Sequence, residues 1–187
     1  MSTATSDKTF TAHARRRALA TVVVFGLWGV GAAYFILDWQ TAWPLVLFYA
    51  LLILNSYYSV RAFASITPRE HLGQQGMDIL LCLWLALLPL NFNTPLNFVL
   101  LMSMLFVTAT LKYVLLLPVA GYSRLLYAKI RVDTLGILLC FLALLGILWG
   151  YAFWTTVLWS LIFFISNIYV LWWEPHYHLS LHYESFL

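Results

Sequence analysis

From Thr134 to Trp173 the chain carries no charged residue. As one straight helix, at about 1.5 Å per residue, that run would reach about 60 Å, twice the roughly 30 Å hydrocarbon thickness of a bilayer. It must therefore cross and turn back. The stretch from Gly150 through Tyr151, Ala152, Phe153 and Trp154 to Thr155 and Thr156 breaks the Leu-rich pattern and is the best turning place. Composition extends the same reading to the whole chain. Hydrophobic residues make up 63% and charged residues 9%, whereas a soluble domain carries about a quarter charged residues. Lipid must cover much of this surface.

Four further apolar runs precede it. Ala18 to Leu37 follows Arg15, Arg16 and Arg17 and is long enough to span. A signal peptide is the rival reading, with Gly31, Ala32 and Ala33 as its small residues; a second span follows almost at once. That second run is Ala42 to Val60. The third looks short, from Ile79 to Leu90, but Thr67, Pro68 and Glu70 form a capping-box pattern that starts the helix in water. Pro89 to Pro95 is a turn, and the fourth run is Leu96 to Leu117. After Pro118 comes a basic stretch with Arg124, Lys129 and Arg131, read as a short interfacial helix or a solvated loop.

On this map all ten Lys and Arg fall on one side, and the three opposite turns contain none. The positive-inside rule then puts both termini in the cytoplasm, of a bacterial inner membrane. The predicted fold class is an all-α integral membrane protein of about six transmembrane helices in three hairpins. Residues 1–17 form a cytoplasmic N-terminal segment, 18–173 the transmembrane domain, and 174–187 a cytoplasmic tail, extended in conformation. Cys82 and Cys140 lie inside apolar runs and read as buried thiols. Gly29 with Ala33, and Gly146 with Gly150, have small-residue spacing that lets helices approach, within one chain or between chains.

The chemistry is sparse. No His falls in a span, which argues against a haem held in the bilayer. No Glu, Lys or Arg sits mid-span, which argues against ion-coupled transport and voltage sensing. No cofactor is implied, and the net charge of +3, spread over helix ends, does not suggest nucleic acid.

Three polar features stand out. Asn55, Asp78 and Asn167 each come out about 15 residues, or roughly 22 Å, from an outer turn. They can line a cavity open to the cytoplasm, or serve as interhelical hydrogen-bond glue. Lys112 and Asp133, at similar depth, can form an ion pair; the alternative is a snorkelling Lys and a helix-capping Asp. Finally, Glu174, His176, His178, Ser180, His182 and Glu184 alternate with apolar residues at strict period two, as in a half-buried strand. Such a face suits a partner protein or a metal ion, although same-face strand neighbours are almost 7 Å apart.

No motif places the chain in a family. In length and helix count alone it resembles the substrate-binding subunits of energy-coupling-factor vitamin transporters, a resemblance that transfers no residue. The leading expectation is a non-enzymatic membrane subunit, an oligomeric anchor, scaffold or sensor working with a cytoplasmic partner. The alternative is a small-molecule transporter or channel with a cytoplasm-facing polar cavity.

Overall fold

A computed structural model describes residues 3–63, 72–120 and 124–169, and all regular structure in them is helical. The six α-helices are α1 (Thr3–Ala33), α2 (Trp39–Phe63), α3 (Leu72–Leu87), α4 (Pro95–Ala120), α5 (Arg124–Leu148) and α6 (Ala152–Ile168). One turn of 3₁₀ helix, Pro89–Asn91, follows α3. Five segments are long and apolar enough to cross a membrane, α3 only together with the 3₁₀ turn as Leu72–Asn91, and α6 is a shorter apolar helix over its described length. The capping-box residues Thr67, Pro68 and Glu70 and the tail from Glu174 to Glu184 lie outside the described residues.

The short turns at one end of the bundle have clear local causes. Asp38 caps α2: its Oδ1 accepts the backbone amide of Gln40 at 2.9 Å, which satisfies one of the first free donors of the helix. At the other end of α5, Gly150 has φ +88°, the amide of Tyr151 bonds the carbonyl of Gly146, and the amide of Gly150 bonds that of Ile147. This is a Schellman motif, which needs a residue without a Cβ at the left-handed position. Asn93 ties two turns together. Its Oδ1 accepts from the amide of Leu37 at 2.9 Å and its Nδ2 donates to the carbonyl of Phe35 at 3.2 Å.

Two departures from the sequence reading concern helix extent. The basic stretch around Arg124, Lys129 and Arg131 is neither a loop nor a separate helix; it forms the first turns of α5. Charges do not break a helix, and this one carries all three basic residues ahead of its apolar run. Likewise α1 runs unbroken from Thr3, so the N-terminal segment is helical.

In space the helices follow the order α1, α2, α6, α5, α4, α3, with α3 returning to α1. Across this ring α4 also touches α2, on the diagonal, and α6. The half near the short turns is densely filled. Phe48 stacks on Trp159 at 3.8 Å and on Phe163 at 4.1 Å, with Phe92 and Phe98 beside them. Tyr49 donates within reach of the carbonyls of Phe25 (3.1 Å) and Leu85 (3.2 Å), joining α1, α2 and α3 through one hydroxyl.

The first glycine of each small-residue pair packs inside the chain, whereas a Cβ on Gly150 would meet nothing within 4 Å. A Cβ on Gly29 would come within 2.5 Å of the Tyr49 ring, and one on Gly146 would collide with Thr155 of α6. A third close approach, Gly136 against Phe106, seals α5 on α4, where a Cβ would lie 2.8 Å from the ring. Gly136→Val is expected to force these helices apart at about 1–3 kcal/mol, read as a lower midpoint in detergent unfolding. A midpoint equal to the parent would mean that Phe106 yields freely.

Candidate functional site: a cavity at the basic end

Toward the end that carries the Lys and Arg residues, the ring opens into a cavity of about 1030 Å³. All six helices contribute to its wall, from Arg17 and Thr21 on α1 to Phe163 and Asn167 on α6. Its floor is the apolar core, including Leu52, Leu85, Leu105 and Phe106. The volume lies at the upper end of the range of ligand sites, which run from about 300 to 1,000 Å³.

Asn55, Asp78 and Asn167 all line this cavity. Asn55 and Asn167 meet directly: Asn55 Nδ2 donates to Asn167 Oδ1 at 3.0 Å. Asn167 Nδ2 donates to the carbonyl of Phe163 at 2.8 Å, which fixes the amide orientation and leaves Asn167 Oδ1 as the atom offered to Asn55. Asp78 is not part of that pair. It binds Lys112, with Nζ 2.5 Å from Oδ1, and its side chain remains about one-third exposed. Thr108, at the same level, accepts from Trp84 Nε1 at 3.0 Å and is packing.

The Lys112–Asp133 pair read from the sequence does not form. Lys112 on α4 faces α3 and takes Asp78, while Asp133 on α5 takes Lys129 one turn earlier at 2.8 Å. Helix order does not decide this, since α4 packs on both α3 and α5; the direction of the Lys112 side chain on α4 does, and the Tyr113 ring lies beside both lysines. Both ammonium groups lie 5.9 Å from the Tyr113 ring centroid, and Tyr113 and Ser59 hydroxyls are hydrogen-bonded at 2.9 Å across the diagonal. The Asp133 side chain is 1% exposed and its Oδ2 has no hydrogen-bond partner. The Lys–Asp spacing at i, i+4 was visible in the sequence as the signal for this pair.

The cysteines divide. Cys140 is buried, but Cys82 is exposed and lines the cavity, contrary to the expectation of two buried thiols. In a chain surrounded by lipid, an apolar neighbourhood along the sequence does not imply an interior position. Among the described residues no group of three His, Cys, Asp or Glu side chains could hold a metal; Glu174, His176, His178, His182 and Glu184 lie outside them.

The Asn55–Asn167 bond joins α2 to α6 and its strength is measurable. A double-mutant cycle with Asn55→Leu and Asn167→Leu is expected to give a coupling of about 0.6–2 kcal/mol. A coupling near zero would show that each amide finds another partner when the first is lost. The chain matches no family model, no curated protein and no solved structure.

Proposed function

We propose that this is a six-span membrane protein that admits a small polar or amphipathic solute to the cavity from the cytoplasm, as a transporter or channel. The observation that carries the reading is the convergence of Asn55, Asp78 and Asn167, from three helices, on one cavity of about 1030 Å³. The topology has both termini in the cytoplasm of a bacterial inner membrane. It is supported by the absence of Lys and Arg from the turns 34–38, 88–94 and 149–151 and by their concentration at the other end. The apolar floor closes the cavity toward the short turns, so passage requires the helices to move.

The native cysteines test the aqueous part. A membrane-impermeant maleimide applied from the cytoplasmic side is expected to label Cys82 and spare Cys140, since only Cys82 lines the cavity from an exposed position. The solute itself is sought by thermal shift of the detergent-purified protein against pooled metabolites. A solute at a hundred times its Kd stabilises by about 2.7 kcal/mol. That shift should vanish in Asp78→Asn/Lys112→Met. An unlabelled Cys82 together with no stabilising solute would sink the reading.

A second reading, a non-enzymatic subunit held to a soluble cytoplasmic protein or to further copies, is favoured by the alternating tail, Glu174 to Glu184. Deleting residues 175–187 is expected to leave insertion intact and to release the partner or lower the mass in mild detergent. A truncated protein that keeps both its mass and its partners would remove this role from the tail.

A further inference from the structure

We infer that the cleft between α5 and α6 seats one anionic phospholipid of the surrounding bilayer, its phosphate held by Arg124 and Arg131. The inference rests on the transmembrane reading above and is independent of solute entry.

The cleft follows from how the two helices meet. At the short-turn end they touch through Gly146 and Thr155. Toward the basic end they separate, and the cavity reaches the outer surface there. Leu135, Leu138 and Leu142 on α5 line the cavity, yet each is more than half exposed. Ile165 on α6 and Tyr169 at its C-terminal cap form the opposite wall and are also more than half exposed. An apolar slot that opens sideways takes an apolar chain from the lipid.

The charge on the same stripe selects the head group. Arg124, Arg131, Leu135, Leu138 and Leu142 follow one another at spacings of three, four or seven residues and so share one face of α5. Both arginines are exposed and have no acidic partner among the described residues. The only acid of α5, Asp133, lies on the buried face with Lys129. From Arg131 to Leu142 the helix rises about 16 Å, close to the depth of one leaflet. A phosphate at the arginines therefore lets its acyl chain run the length of the leucines. Guanidinium forks bind phosphate through paired N–H bonds.

The test uses the full chain in nanodiscs of mixed phosphatidylglycerol and phosphatidylcholine, with retained lipid read by native mass spectrometry after detergent release. The parent should retain phosphatidylglycerol over phosphatidylcholine. Arg124→Gln/Arg131→Gln should weaken that retention by about fivefold per arginine, or about 30-fold together. Leu138→Trp, which fills the slot and leaves both arginines in place, should also abolish the retention; circular dichroism checks that each variant stays folded. Equal retention of the two lipids, or full retention in Leu138→Trp, would overturn the assignment. So would a Leu138→Cys thiol that a lipid-phase reagent reaches only after residues 174–187 are removed, since the tail would then be the occupant. Solute stabilisation lost in Asp78→Asn/Lys112→Met with lipid retention unchanged separates this site from the cavity's own ligand.

Discussion

A reporter active only outside the cytoplasm, fused after Gln40, Asn93 or Ala152, is expected to be fully active, and fused after Gly73 or Leu187, to be silent. The expected contrast is all-or-none, because a fusion point lies on one side of the membrane or the other. Gln40 and Ala152 are in the first turns of α2 and α6, and Asn93 lies between the 3₁₀ turn and α4. All three sit at the end without Lys or Arg. Moving any of the arginine-bearing ends across the bilayer would violate the rule that orients short loops. The most informative single fusion is that at Leu187. Activity there would mean an odd number of crossings, and α6, described over only 17 residues, would then be the helix that fails to span.

The second large effect is expected at the buried ion pair of α5. Lys129→Met leaves the Asp133 carboxylate in a site where its side chain is 1% exposed and one oxygen already lacks a partner. Removing one member of a buried pair costs about 3–5 kcal/mol, because the remaining charge cannot reach water. The unfolding midpoint in mild detergent should fall accordingly. Lys129→Met/Asp133→Leu should recover most of the loss, since a buried pair replaced by apolar groups of similar size is often neutral or stabilising. Asp133→Leu alone should resemble the double variant more than the Lys variant, because Lys129 is long enough to redirect its ammonium toward water. If Lys129→Met were as stable as the parent, the carboxylate would have to be satisfied by groups other than the lysine.

Depth was legible in the sequence, and azimuth was not. Counting about 1.5 Å per residue from each turn put Asn55, Asp78 and Asn167 at one level, because helical rise is nearly constant and the turns are short. Which of them would touch depends on the direction each helix presents and on its neighbours. Asn55 meets Asn167 because α6 packs on α2, while Asp78 meets Lys112 because α3 packs on α4. The sequence offers Lys112 and Asp133 as equally deep opposite charges, and although α4 packs on α5, Lys112 turns toward α3 and takes Asp78 instead. The turn at Gly150 was readable because it needs a special backbone angle that few residues adopt. The unbroken α5 was not, since its charged first turns look like a loop when hydrophobicity alone is followed. Cys82 misled for a related reason: an apolar run along the sequence does not say which of its side chains face the core and which face the cavity.

The position of α6 also has a consequence for how the chain is made. The helix that completes the contact surface of α2 is the last of the described helices to leave the ribosome. Asn55 and its partner Asn167 are 112 residues apart, and Ser160 and the Pro44 carbonyl it bonds at 2.7 Å are 116 apart. At about 5–20 residues per second, α2 waits roughly 6–22 seconds in the membrane before α6 arrives. Through that interval Phe48 has neither Trp159 nor Phe163 to stack on, and Asn55 faces hydrocarbon or a temporary companion. The nascent chain thus passes through a stage in which the α6-facing side of its second helix is still uncovered.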